Sequence, residues 1–344
     1  MTSSDEGDHA VVSSHRIEVT LLGPVTVTVG HRPVGLGRQQ QLLAASLFLE
    51  AGKWVPSDRL IARIWDEAPE NARERIYDLI RNLRDALDAA NPGIGRTVVR
   101  QRGGMYMAAV SPDRVDALRL RARLRDAQEA NRQEDLRRAA EQYEEAVAQR
   151  SGTDLLQPDE PLAGLPGRRA EDMRRSLLTA YQAALFGRLE VGLRLGEHKL
   201  LLPTLGEVVA AYPHEERAAE IFMIALYHSR QQADALAEYR RLREELIKEF
   251  GAEPSNRLQQ LHQRILNQDP GLDLPDTEQP SDTATPHADR AGTSGADTDP
   301  GAGSETAAPP WPLQPTSRNV TKVRKVVGGS GPMAIGSGAC TNWF

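Results

Sequence analysis

The sequence predicts a mainly α fold: an α+β segment at the N terminus, an all-α array behind it, and a disordered tail. Three observations predict this. β-rich runs occur within the first 110 residues, at 16–30 and 97–110. Residues 112–268 keep a helical apolar period with few Gly or Pro interruptions. Residues 277–310 are rich in Ser, Thr, Asp, Ala, Gly and Pro with no apolar period, so they bury too little surface to offset the entropy of ordering. The 344 residues leave room for about two domains, and an aromatic content of 5% suits aliphatic helix packing better than a large β-sandwich.

Residues 1–15 are polar and acidic and read as a disordered lead; they lack the basic start and apolar stretch of a secretory signal. RIEVTLLG and PVTVTVG, at 16–30, are two β-rich runs split by Gly-Pro. Val25, Val27 and Val29 alternate with Thr26 and Thr28, the pattern of a half-buried strand. A helix follows over 38–51, with Leu42, Leu43, Leu47 and Leu49 on its apolar side and Gly52 at its end. Ser57 is the expected N-cap of the next helix, 58–66, whose stripe is Leu60, Ile61, Ile64 and Trp65. After a polar turn at 67–71, a third helix runs over 72–87 with Ile76, Leu79, Ile80, Leu83 and Leu87 on one face. TVVRQRGGMYMAAV, 97–110, reads as a hairpin turning at Gly103-Gly104. Strands, three helices and a hairpin in this order make a winged helix-turn-helix over 16–110.

From 111 to 270 the periodicity predicts helices at 115–131, 135–149, 168–195, 199–212, 215–230, 232–250 and 256–267. Several pair into helical hairpins. Ala140, Tyr143 and Ala146, and again Ala233, Leu236 and Tyr239, carry the small/aromatic spacing of tetratricopeptide-like units. The reading is an all-α, solenoid-like domain, then a disordered linker over 271–317 and a tail segment over 318–344.

The chain carries a net charge of −6, but unevenly. Residues 16–110 hold 13 Lys/Arg against 10 Asp/Glu; the remainder holds 29 against 38. Positive charge therefore gathers where a nucleic-acid backbone would be met.

GRQQQLLAASLFLEAGKWVPSDRLIARIWDEAPENARERIYDLIRNLRDAL resembles the DNA-binding domain of the Streptomyces antibiotic regulatory proteins, which carry an OmpR-type winged helix. PHEERAAEIFMIALYHSRQQADALAEYRRLREELIKEFGAEPSNRLQQLHQRIL (213–266), with SPDRVDALRL (111–120) ahead of it, resembles the bacterial transcriptional activator domain that follows it in that family. The resemblance covers about three-quarters of the chain and implies a transcriptional activator of a secondary-metabolite gene cluster. It implies binding to direct repeats of double-stranded DNA near promoters, as a homodimer, and recruitment of RNA polymerase.

On a wheel of about 100° per residue, the apolar face of 72–87 centres on Ile76, Ile80 and Leu83. Arg73, Tyr77, Arg81 and Arg84 fall along an adjoining stripe. A helix in the major groove needs one face locked to a core and the other offering donors to bases and phosphates. Arg81 is the expected base reader, Tyr77 and Asn82 read or position, and Arg73 and Arg84 hold phosphates. Arg100 and Arg102 precede the hairpin turn, placed to enter the minor groove or clamp the backbone. An Arg81–Asp85 pair on the exposed helix is the competing use of that side chain. The family usually has basic residues where this chain has Asn82 and Asp85, and Asp78 adds a carboxylate; each weakens attraction to phosphate.

No enzyme, cofactor or metal is expected. The Gly-x-Gly at 35–37 lacks the Lys-Ser/Thr of a phosphate loop, and no His/Cys/Asp cluster has ligand spacing. His214 and Tyr227-His228 read as packed or solvated side chains. No run of eighteen apolar residues predicts a membrane span, and the lone Cys340 forms no internal disulfide; both fit the cytoplasm. The helical domain is open to dimerisation, polymerase contact or small-molecule sensing. The tail is open too. It reads as a disordered or self-docking end. Alternatively it is the core of a ribosomally made peptide, with the regulator-like part as a large leader for peptide-modifying enzymes. Ser330, Ser337, Cys340, Thr341 and Trp343 would be the modified residues.

Overall fold

The computed structural model describes residues 17–150 and 160–272. The readings of a lead over 1–15 and of a linker and tail segment beyond 272 fall outside the described residues. Among the described residues the chain forms six strands and eleven α-helices, a mainly α fold with a small β portion at the N terminus.

β1 (Ile17–Thr20), β2 (Thr26–Val29) and β3 (Arg32–Pro33) form an antiparallel sheet in that order, with Val19 opposite Val27 and Ile17 opposite Val29. These four residues are buried, while Thr26 is exposed, so the alternation places the sheet half in the core. α1 (Arg38–Phe48) buries Leu42, Leu43, Leu47 and Phe48, and the Gln40 side chain accepts the N–H of Gly37 at its start. β4 (Val55–Pro56) leads into α2 (Ser57–Ile64), followed by α3 (Ala72–Ala90) and α4 (Ile94–Val98). β5 (Val99–Arg102) and β6 (Met105–Ala108) complete a second antiparallel sheet, ordered β4-β6-β5.

Ser57 does not cap α2. Pro56 holds the cap position, and the Ser57 hydroxyl and N–H both donate to the Gly104 carbonyl, at 2.5 and 3.1 Å. A partner 47 residues away, at the hairpin turn, outcompetes the local helix end.

α5 (Asp116–Arg132), α6 (Leu136–Val147), α7 (Arg168–Arg194), α8 (His198–Ala211), α9 (Glu216–His228), α10 (Gln232–Phe250) and α11 (Asn256–Leu266) pack largely onto sequence neighbours. Ala140, Tyr143 and Ala146 are buried, as the small/aromatic spacing predicts. The second such triplet is misregistered. Ala233 is exposed and Leu236 only partly buried; the apolar face of α10 runs through Ala235, Tyr239, Leu242 and Leu246. Steps of four and three residues from Ala235 keep these four side chains on one side of the helix.

Gly187 of α7 lies under the Tyr143 ring: a Cβ there would sit 2.4 Å from the ring carbon Cε1. Both residues are buried, so neither helix yields freely. Gly187→Ala is expected to destabilise the fold by about 2 kcal/mol, read by urea unfolding. An unchanged midpoint would mean that α6 and α7 slide apart without cost.

A continuous apolar cluster runs from Ile17 through α1–α3 into α5–α9; a second, smaller one joins α9, α10 and α11. Polar links stitch the N-terminal sheet to the helices. Asp116, 3% exposed, accepts from Leu21 N–H at 2.8 Å, Leu22 N–H at 3.0 Å and Ala117 N–H at 2.6 Å. Burial pushes its carboxyl above the ordinary aspartate range against the pull of those three donors. Leu162 and Ala163 donate to the carbonyls of Leu21 and Gly23. The buried Arg174 holds that return segment by donating to the carbonyls of Pro161 and Leu165 and pairing with Glu160 and Glu171.

His198 is buried against His228, ring centroids 4.6 Å apart, and neither of its ring nitrogens has a hydrogen-bond partner. Burial, then the neighbouring His228, holds its pKa below the ordinary histidine value. The unfolded chain therefore takes up this proton first as pH falls. Stability owed to neutral His198 is full above the ordinary value of 6.5 and is lost as pH falls towards its folded pKa. The wild-type Tm is expected to fall more steeply than that of His198→Leu between pH 7 and pH 5. Parallel curves would contradict this.

Candidate nucleic-acid interface

α2, a turn and α3 form the helix-turn-helix, and the β5–β6 hairpin stands beside it as the wing. α3 buries Ala72, Ile76, Leu79, Ile80, Leu83 and Leu87, which fixes its rotation. The opposite arc is exposed and carries Arg73, Tyr77, Asp78, Arg81, Asn82 and Asp85. Tyr77 is 54% exposed, unusual for a large aromatic side chain, and no core contact accounts for its place.

The predicted stripe is only partly on offer. Arg81 projects from the exposed arc and lies 3.7 Å from Asp78 one turn earlier; this pair, rather than Arg81–Asp85, is the ion pair formed. Arg73 donates to Asp58 of α2 at 3.1 Å, with both side chains more than 70% exposed. Solvated pairs of this kind are worth about 0–1 kcal/mol, so neither guanidinium is costly to release. Asn82 is exposed beside Arg81.

Arg84 differs. It sits about 40° from Ile80 on the wheel, at the margin of the apolar arc. Its Nε and one terminal nitrogen donate to the Val99 carbonyl at 3.0 and 2.8 Å. Burial, then nearby Arg96, lowers its pKa, as expected for a guanidinium partly withdrawn from water. Arg84 thus ties α3 to the first wing strand, and its guanidinium is engaged at the Val99 carbonyl rather than held out on the exposed arc. Gly95 of α4 lies so close behind that its Cβ would meet the Arg84 carbonyl at 2.4 Å, while its N–H donates to Asp88.

The wing turns at Gly103 and Gly104, φ +53° and +75°, the left-handed pair that a two-residue hairpin with the right twist demands. Arg102 is exposed immediately before the turn, and Arg100 is half-buried on the same face of β5. The bonds from Ser57 to Gly104 clamp the wing tip to the start of α2. Sequence reasoning passed over Arg75 on α3 and Arg96 on α4, both exposed. Arg75 lies away from the chosen stripe, and α4 is too short to show a period. Ser330, Ser337, Cys340, Thr341 and Trp343 lie outside the described residues. Among the described residues no group of three or more His, Cys, Asp or Glu side chains could hold a metal ion, and no helix is long and apolar enough to cross a membrane.

Comparison with known proteins gives the same architecture. Residues 115–266 match the family model described as the bacterial transcriptional activator domain. The chain is 30% identical over 272 residues to the regulatory protein DnrI of Streptomyces peucetius, covering 77% of this chain and 97% of DnrI. It is 33% identical over 254 residues to the regulatory protein AfsR of Streptomyces coelicolor, covering 73% of this chain but 24% of AfsR, so it spans about a quarter of that relative. Among solved structures, Mycobacterium tuberculosis EmbR in complex with a low-affinity phosphopeptide superposes with a TM-score of 0.65 at 24% identity. The match covers 74% of this chain and 66% of that one, a likeness of fold alone.

Proposed function

Because the chain belongs to the Streptomyces antibiotic regulatory protein family of transcriptional regulators, we propose that it reads double-stranded DNA through α3 and the β5–β6 wing and activates a biosynthetic gene cluster. The observation that carries this reading is the exposed arc of α3. It offers Tyr77, Arg81 and Asn82 on a helix whose other face is locked into the core. Arg81 grips a guanine edge in the major groove, where a guanidinium matches O6 and N7. Tyr77 and Asn82 set its approach. Arg102 at the wing tip and Arg73, once released from Asp58, hold phosphates and fix the register. Arg100 supports the wing contact from the same strand face.

Two copies bind tandem half-sites as a homodimer on direct repeats, and the helical part touches RNA polymerase. The protein acts in the cytoplasm as a binding protein, without catalysis or cofactor. Incubating the full chain with a random-sequence DNA pool and recovering bound molecules tests the proposal. Enrichment of a repeated motif, with an affinity that falls steeply as salt rises, is expected. Recovery of no motif would refute sequence-specific reading.

A further inference from the structure

A cleft of about 290 Å³ lies between α2, with Leu49 and Glu50 of the turn after α1, and α5 and α7 of the helical part. Its polar wall carries Arg63, Arg121, Arg169 and Ser176, with Glu50 and Asp172 as the carboxylates; Leu49 and Met173 supply apolar surface. These charges are unequally satisfied. Arg63 donates to Glu50 at 2.7 Å and to the Ser46 carbonyl at 3.2 Å, so Glu50 is committed. Arg169 lies 3.8 Å from both Asp66 and Asp172, beyond hydrogen-bonding reach, and its buried Nε has no hydrogen-bond partner. Arg121 donates to the Ser176 hydroxyl at 3.2 Å, and burial lowers its pKa. Two partly desolvated guanidiniums and a hydroxyl thus line one cleft with donors to spare, and guanidinium forks match carboxylates.

We propose that this cleft binds a small organic carboxylate, its head held by Arg121, Arg169 and Ser176 and its apolar body against Leu49 and Met173. The volume sits near the lower end of small-molecule sites, roughly 300–1,000 Å³, which suits a compact ligand rather than a peptide. Because one wall is the helix-turn-helix and the other the helical part, an occupant bridges them and biases the attitude of α2. Affinity for the carboxylate and for DNA are then coupled, each changing the other by the same factor. The coupling rests on the DNA-reading proposal; the binding site does not.

The test is calorimetric titration of the full chain, without DNA, using salicylate, 1-naphthoate and inorganic phosphate, with naphthalene-1-methanol as the uncharged control. At least one carboxylate is expected to bind saturably, one per chain, with no binding of the alcohol. Affinity should drop at least tenfold in Arg121→Gln and in Ala62→Phe, which fills the cleft from an exposed position and leaves the arginines in place. No binding of either carboxylate would overturn the site. Equal affinity in both variants, or binding of phosphate alone as an adventitious ion, would do the same. A carboxylate that binds but leaves affinity for the enriched DNA motif unchanged would overturn the coupling.

Discussion

Asp116→Ala is expected to lower the unfolding free energy by about 3 kcal/mol, because it strands the N–H groups of Leu21, Leu22 and Ala117, and a buried donor without an acceptor costs about 1–3 kcal/mol. The loss is not confined to one helix end. Leu21 and Leu22 directly follow β1, so the carboxylate joins the N-terminal sheet to the first helix of the activator-type domain, near where Val19 also bridges Val115. Loosening it should therefore broaden the transition as well as shift it, since sheet and helices no longer unfold as one unit. Urea unfolding followed by circular dichroism measures both. A shift below about 1 kcal/mol would mean that water reaches these groups and serves as the acceptor.

Arg81→Ala and Arg102→Ala are expected to weaken DNA binding in different ways. Losing a bidentate guanine contact costs about 1–3 kcal/mol of discrimination, so Arg81→Ala should weaken binding to the enriched motif about tenfold or more and relax preference at one base pair per half-site. In the proposed reading Arg102 meets backbone, so its loss should weaken all sequences alike and reduce the slope of log K against log salt by about one. Neither change should alter stability, because both side chains are exposed and the Arg81–Asp78 ion pair is a long, solvated one. Fluorescence anisotropy across a salt series, with the motif and single-base variants, separates the two. Equal loss of preference in both variants would show that the helix and wing roles are misassigned.

Much of this architecture was legible in the sequence because it rests on long local periods. α7 and α10 repeat apolar positions over enough turns for their spans to emerge within about a residue. β3, β4 and α4 have two, two and five residues, too few to show any period. Contacts distant in sequence were illegible for a different reason. Ser57 looks like a cap until Gly104 is brought to it, and Asp116 looks like an ordinary first-turn acid until Leu21 and Leu22 arrive from 95 and 94 residues away. Arg84 shares the polar stripe of Arg81 on a wheel, yet it stands at the margin of the apolar arc, where the Val99 carbonyl is the nearer acceptor. A wheel gives direction, not neighbours. The same limit hid the cleft, whose arginines come from α2, α5 and α7.

Methylation interference on the enriched DNA motif tests most directly whether α3 reads bases in the major groove. N7 of guanine is an acceptor on that side of the base pair alone. Methylation of N7 at one guanine in each half-site is expected to abolish binding of the wild-type chain and to leave the residual binding of Arg81→Ala unaffected. Binding that tolerates N7 methylation at every guanine, or that stays equally sensitive in Arg81→Ala, would contradict base reading by Arg81.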